Sequence, residues 1–183
     1  MGQQQLNLGL IGVGRIGKVH AEHLRYRIPR ANLAVISDVN VEAARACAER
    51  LGVARVEADH HALLNDPAID AVVICSPTDM HATMIEEAAN AGKQIFCEKP
   101  IARTLREIDQ ALDAVAKAGV KLQIGFNRRF DPNFARVRKA ILAGEIGEPH
   151  LLHIISRDPG PPPIEYVKVS GGIFLDMTIH DFD

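Results

Sequence analysis

The run Leu6-Asn7-Leu8-Gly9-Leu10-Ile11 leads directly into Gly12-Val13-Gly14-Arg15-Ile16-Gly17, and that string opens Lys18-Val19-His20-Ala21-Glu22-His23-Leu24. An apolar run short enough for a buried strand is thus joined to a helical pattern by a G-x-G-x-x-G turn. The string alone is weak. Between a strand and a helix each glycine has a task. Gly12 permits the tight turn, Gly14 lets the backbone approach a pyrophosphate, and Gly17 lets the helix pack closely on the strand. Around Val13, Arg15 and Ile16 the helix start offers free amide donors and positive potential for phosphates. The competing reading is a glycine-rich turn that binds nothing.

Working outward, the same grammar repeats. Strands are expected at Leu33 to Ser37, Arg55 to Glu57, Ala71 to Cys75, Gln94 to Cys97 and Leu122 to Gly125. Helices are expected at Arg15 to Arg27, Val41 to Leu51, His60 to Asn65, Met80 to Ala91, Thr104 to Ala118 and Asp131 to Ala143. Gly52, Gly92, Gly119 and Gly144 close four of these, and Asp131 with Pro132 opens the last. Continuously apolar strands, each followed by a helix, imply parallel pairing buried on both faces. The fold class is therefore α/β, a doubly wound parallel sheet of Rossmann type, with the start of a second α+β domain. Residues 1–125 form the first domain, with a boundary somewhere in 125–148. Residues 149–183 begin the second, with a strand expected at His150 to Arg157 and a helix after Gly171-Gly172. The chain stops within a helical pattern at Thr178 to Asp183, so a fragment of a longer chain is expected.

Asp38 ends the second strand, 21 residues after Gly17. A carboxylate there can accept both ribose hydroxyls of adenosine and would repel a 2′-phosphate. Neither Val39 nor Asn40 offers a cation for such a phosphate, so the expected cofactor is NAD rather than NADP. Asp38 could also cap the helix that starts at Val41. Ser76-Pro77-Thr78 follows the third long strand, and His81 starts the next helix. Loops at the C-terminal ends of parallel strands line the ligand crevice, so all four join the cofactor site. A plain turn and helix cap is the alternative.

Composition excludes several classes. The chain has 183 residues, is 47% hydrophobic and carries a formal charge of -2. No strong positive excess marks a duplex-binding protein. Lys121 to Lys139 holds six basic residues and one acid, and a strand, a turn and an amphipathic helix account for them. No apolar run approaches the roughly 20 residues of a membrane span. The start Met1-Gly2-Gln3-Gln4-Gln5 has neither the basic nor the apolar region of a secretory signal. Cys47, Cys75 and Cys97 are odd in number and form no C-x-x-C pair, which suits small buried hydrophobes in a reducing cytoplasm. No metal site is expected. His20, His23, His60 and His61 read as helix surface or packing residues.

Two later strings carry a family resemblance. Cys97-Glu98-Lys99-Pro100 ends a strand, and Gly171-Gly172-Ile173-Phe174-Leu175-Asp176-Met177-Thr178-Ile179-His180-Asp181 opens the last helix. With the glycine turn they resemble the glucose–fructose oxidoreductase and inositol dehydrogenase family. Gly125-Phe126-Asn127-Arg128-Arg129-Phe130-Asp131 and Ser156-Arg157-Asp158-Pro159 look like its inositol dehydrogenases in particular. The resemblance runs over the whole chain, and full-length members are about twice as long. It implies NAD-dependent oxidation of a cyclic polyol, best matched by myo-inositol going to 2-keto-myo-inositol (2-inosose). A scyllo-inositol or sugar dehydrogenase of the same family, or a non-catalytic NAD-binding sensor, is the alternative. It also implies a homo-oligomer, a tetramer.

By this resemblance Lys99, Asp176 and His180 are the catalytic set, and Glu98 and Lys99 also count with the cofactor site. The residue types suit the chemistry. A histidine can take a hydroxyl proton near neutral pH, and a lysine can stabilise negative charge on the reacting oxygen. Asp176 lies four residues before His180, on one helix face, and can orient the imidazole or hold a substrate hydroxyl. Arg129, Asp158 and Asp183 are the expected substrate-side residues. Read without the family, Lys99 could be a solvated surface lysine. Asp176 and His180 could be a hydrogen-bonded pair or metal ligands at i, i+4 spacing.

Overall fold

The computed structural model describes residues 5–157 and 160–183. The chain divides after Ile124 into two compact units.

The first unit contains β1 (Leu6–Ile11), α1 (Arg15–Tyr26), β2 (Ala31–Ser37), α2 (Val41–Leu51), β3 (Arg55–Glu57) and α3 (His61–Leu64). It continues with β4 (Ala71–Ile74), α4 (Thr78–Asn90), β5 (Gln94–Cys97), α5 (Leu105–Ala118) and β6 (Leu122–Ile124). The six strands form one sheet in the order β3-β2-β1-β4-β5-β6. Every pairing is parallel. This is the doubly wound sheet expected from the sequence, with its order reversing between β1 and β4.

Alternation along the strands explains why both faces are buried. Leu8, Leu10 and Val73 point into one core, with Ala21 and Leu24 of α1 and Ala44 and Leu51 of α2. Ile11, Val72, Ile74, Ile95 and Cys97 point into the other, with Ile85 and Ala88 of α4 and Ala111 of α5. Successive strand residues thus serve opposite layers. The helix ends follow local chemistry. Asn40 caps α2 by accepting from the Ala43 amide at 3.1 Å. Thr104 and Glu107 form a reciprocal capping box on α5. Gly52 and Gly119 end α2 and α5 in the left-handed conformation.

Register places the strand ends side by side. Ser37, Ile11, Ile74, Cys97 and Ile124 pair in one row across the sheet. The residues that follow them continue the row by backbone bonds. The Gly12 amide donates to the Ser37 carbonyl at 2.8 Å, Cys75 to Ile11 at 2.7 Å and Glu98 to Ile74 at 3.0 Å.

In the second unit a 3₁₀ turn (Asn127–Phe130) precedes α6 (Pro132–Leu142), capped by the Asp131 carboxylate on the Asn133 amide at 2.8 Å. α7 (Ile164–Val169) follows, a helix the sequence pattern did not announce. The last segment winds as a π-helix over Phe174–Thr178 and then as α8 (Ile179–Phe182). The strand expected at His150 to Arg157 does not form: those residues carry no strand, and Leu151, Leu152 and Ile155 are exposed. A strand exists only with a ladder partner, and among the described residues none runs beside this segment. Among the described residues no helix is long and apolar enough to cross a membrane.

Candidate active site

The glycine turn has the geometry its spacing demands. Gly12 has φ +94°, and a Cβ there would lie 2.6 Å from the Cys75 carbonyl oxygen. A Cβ on Gly17 would lie 2.1 Å from the Gly12 carbonyl oxygen, so helix and turn touch through bare backbone. Gly14 differs: a Cβ there meets nothing within 4 Å. The first bond of α1 runs from the Lys18 amide to the Gly14 carbonyl at 3.1 Å. The earlier amides therefore face forward out of the helix, as helix starts require. Open space over Gly14, in front of those amides and beside Val13, Arg15 and Ile16, fits a pyrophosphate.

Asp38 is fastened to this turn. Its Oδ2 accepts from the Val13 amide at 2.7 Å and its Oδ1 from the Asn40 amide at 2.8 Å. The α2 cap is Asn40, not Asp38. A carboxylate has about four acceptor positions, so the two amides leave capacity for ribose hydroxyls. Val39 beside it is fully open to solvent.

Ser76, Pro77 and Thr78 lie where β4 turns into α4, across the reversal point from the glycine turn. His81 differs from the expected crevice-facing residue. Its side chain is buried, with Nδ1 2.7 Å from the Pro100 carbonyl oxygen and Nε2 2.9 Å from the Ser76 carbonyl oxygen. Both ring nitrogens are used within the protein, so His81 joins two loops rather than presenting a polar atom to a ligand.

Lys99 follows β5 directly and precedes a cis peptide to Pro100. Glu98 is also turned inward. Its Oε1 lies 2.7 Å from His20 Nε2, and its Oε2 accepts from the Lys99 amide at 3.3 Å. Burial pushes the Glu98 carboxyl up. The His20 hydrogen bond and charge, with the Lys99 amide and charge, outweigh burial and hold it below the usual range. His20, read from sequence as a surface or packing residue, is thus part of the support for Lys99. Its signal was present: Gly17, Ala21 and Leu24 are the buried face of α1, and His20 shares that face at helical spacing. Its ring also meets Phe96 edge-on at 5.0 Å.

Burial raises the Cys75 and Cys97 thiols well above the ordinary value, so neither is a nucleophile here. Away from the strand ends, Asp59, His60 and His61 bring ligand-type atoms within 4.8 Å of one another. Hydrogen bonds account for that gathering: His60 Nε2 to Glu87 Oε2 at 2.7 Å, and His61 Nδ1 to Asp59 Oδ1 at 2.6 Å.

In the second unit Asp176 accepts from the Tyr166 hydroxyl at 2.6 Å. Asp176 sits in the π-turn and His180 in the α-turn that follows, so four residues still come close to one revolution. Arg129 and Asp183, both expected on the substrate side, meet each other. Arg129 Nε donates to Asp183 Oδ2 at 2.8 Å and its Nη2 to Oδ1 at 2.6 Å. Asp183 raises the Arg129 guanidinium further above its usual value. Arg128 pairs with Asp181 and stacks 5.1 Å over the Phe134 ring. A groove of about 1020 Å³ in this unit is lined by Arg129, His180 and Asp183 together with apolar residues of α6. Asp158 lies outside the described residues.

Comparison with known proteins agrees with this fold. Residues 6–126 match the oxidoreductase family described as having an NAD-binding Rossmann fold, and residues 134–183 match the GFO/IDH/MocA C-terminal domain. The chain is 50% identical over 178 residues to myo-inositol 2-dehydrogenase of Thermotoga maritima, covering 97% of this chain and 53% of that one. It is 44% identical over 181 residues to scyllo-inositol 2-dehydrogenase (NAD(+)) of Bacillus subtilis, covering 99% and 53%. A crystal structure of scyllo-inositol dehydrogenase from Lactobacillus casei, with bound NAD(H) and scyllo-inositol, superposes with a TM-score of 0.86. Its identity is 34%, and the match covers 97% of this chain and 54% of that one. The chain spans about half the length of the curated relatives it matches.

Proposed function

Because the chain belongs to the oxidoreductase family with an NAD-binding Rossmann fold, we propose that it carries the cofactor site and proton-transfer residues of an NAD-dependent inositol dehydrogenase. The substrate is a cyclic polyol, myo-inositol, oxidised at one secondary alcohol to 2-keto-myo-inositol. The observation that carries this reading is the row of strand ends. It brings Gly12 after β1, Asp38 after β2 and the Glu98-Lys99 step after β5 to one edge of the sheet. Binding alone needs no lysine there; alcohol oxidation does.

Gly12, Val13, Gly14, Arg15, Ile16 and Gly17 hold the pyrophosphate, and Asp38 holds the adenosine ribose. Ser76, Pro77 and Thr78 border the same crevice. NAD, when bound, supplies the hydride acceptor. Lys99 Nζ donates a hydrogen bond to the substrate oxygen and stabilises the charge that grows there as the proton leaves. A ring nitrogen of His180 accepts that proton, and Asp176 orients the ring. Arg129 and Asp183 hold further hydroxyls, with Asp158 among the substrate-side residues. Similarity to a scyllo-inositol dehydrogenase at 44% identity favours the scyllo epimer as the second reading.

The protein is further proposed to be cytoplasmic, a placement supported by three free buried thiols. It is also proposed to be a homo-oligomer, a tetramer by likeness to its family. A panel of inositol epimers and sugars, assayed with NAD and NADP on the complete protein, tests the activity. Reduction of NAD with myo-inositol and none with NADP is expected. No oxidation of any polyol rejects the proposal.

A further inference from the structure

The loops that follow β4 and β5 lie beyond the last ladder pair, Ile74 with Cys97. Past that pair one further backbone bond, from the Glu98 amide to the Ile74 carbonyl at 3.0 Å, joins the two strands, and it stops short of Ser76 and Pro100. One buried side chain connects these two. His81, on the inner face of α4 beside Ala82, Met84 and Ile85, reaches the Pro100 carbonyl with Nδ1 at 2.7 Å. It reaches the Ser76 carbonyl with Nε2 at 2.9 Å. Its relative exposure is 2%, so water does not compete for either contact. The nitrogen that carries the ring proton donates to its carbonyl, and the other nitrogen packs against the second.

We propose that His81 is a positioning residue that sets the Lys99 backbone against the cofactor loop: its Nδ1 side fixes Pro100, and with it Lys99, while its Nε2 side fixes the Ser76 loop. The inference rests on the dehydrogenase reading above. The residue on the other side of Lys99 is held as well, since the Glu98 carboxylate is bound by His20 at 2.7 Å. Lys99 therefore sits between two neighbours that are each tied to a different helix, Glu98 to α1 and Pro100 to α4. Geometry of this kind matters because a displacement of about 1 Å at a reacting group costs on the order of 10² in rate. His81 touches neither substrate nor cofactor in this account; it acts through Lys99 and Ser76.

The two contacts can be separated. An asparagine at 81 places an amide N–H near the position of Nδ1, and a glutamine places one near Nε2. In the complete protein, H81N is expected to keep kcat within about 3-fold of the parent while NAD binding weakens. H81Q is expected to keep NAD affinity while kcat falls about 10- to 100-fold. H81A loses both. NAD affinity is read by calorimetry, and kcat and KM by turnover. Thermal midpoints show that each variant is folded. A purely structural role would lower the midpoint without separating kcat from NAD affinity. Equal changes in both quantities for H81N and H81Q overturn the proposal, as does unchanged turnover in H81A. If the parent protein oxidises no polyol, the functional reading fails instead. The NAD affinities then still decide: H81N binding NAD as tightly as H81Q overturns the clamp.

Discussion

Replacing Gly17 and Gly14 by alanine, one at a time, separates a glycine that the fold needs from one that the ligand needs. On helix propensity alone Gly17→Ala should stabilise α1 by about 1 kcal/mol. The structure reverses that sign. The new Cβ would lie 2.1 Å from the Gly12 carbonyl oxygen and 3.3 Å from Cys75 Cβ. The first is a backbone atom, and Gly12 is itself pressed against the end of β4, so neither side can yield cheaply. A clash this close with backbone falls at the upper end of overpacking costs, about 3 kcal/mol or more, which outweighs the propensity gain and leaves a net loss of about 2 kcal/mol or more. Gly14→Ala meets open space at φ -60°, an ordinary value for alanine. Loss of a helix-start glycine and reduced freedom of the unfolded chain nearly cancel there, so stability without ligand should change by about 0.5 kcal/mol or less. Its methyl group would instead occupy the approach to the helix amides. Losing one charge-assisted backbone bond to a phosphate, about 1.5–3 kcal/mol, weakens NAD binding about 10- to 100-fold. Urea unfolding without NAD and calorimetry with NAD measure the two quantities. A Gly17→Ala protein as stable as its parent, or a Gly14→Ala protein that binds NAD normally, would refute the reasoning.

Other outcomes follow from the same geometry. Asp38→Ala with Val39→Arg should raise the NADP-to-NAD affinity ratio by at least about 10-fold, measured by titration with both cofactors; equal affinity of the parent for the two would remove the basis for that expectation. His180→Ala or Lys99→Ala should lower turnover by about 10² or more, with NAD affinity much less affected by His180→Ala; near-normal rates in both would mean that the proton path is misassigned. Because the Glu98 carboxyl is held below its ordinary value of 4.5, its contribution to stability is present above that pH and disappears as pH falls through the folded value. Glu98→Gln should therefore be less stable than the parent at pH 7, with the gap closing towards pH 3 in urea titrations; a gap that widens on acidification would contradict the assigned His20 contact. The raised Cys75 and Cys97 thiols should react with an alkylating reagent at pH 8 far more slowly in the native than in the urea-unfolded protein, and prompt native labelling at either, located by mass spectrometry, would count against their burial.

Much of the first unit was legible because its signals are local. Apolar runs such as Ala71 to Ile74 are short, bounded and separated by helices of ordinary length, and that combination admits few arrangements besides a parallel sheet. The three glycines were legible for a stronger reason: each sits where a side chain either cannot fit or would block an approach, and their spacing between a strand and a helix conveys this. The segment from His150 to Arg157 has equally good strand composition and yet forms no strand. β-pairing is a property of two segments, and the composition of one does not contain its partner.

The supporting contacts were illegible for a related reason. His20 and His81 lie 61 positions apart in sequence, and each bonds residues of the Glu98-Lys99-Pro100 string, at separations of 78 and 19 residues. Helical periodicity does put both on buried faces, which leaves them to find partners indoors, since a buried polar ring without hydrogen bonds is costly. It does not say which partners. That choice depends on β5 lying beside β4 and on α1 bringing His20 to the Phe96 ring of β5, which is topology rather than pattern. Once the strand order is known the two histidines stop being ordinary packing residues. The loop between them carries the lysine, and their partners, the Glu98 carboxylate for His20 and the Pro100 and Ser76 carbonyls for His81, follow the ends of the strands that frame the cofactor crevice. A parallel sheet thus supplies the line of the site, while the side chains that hold its positions come from the helices on either face.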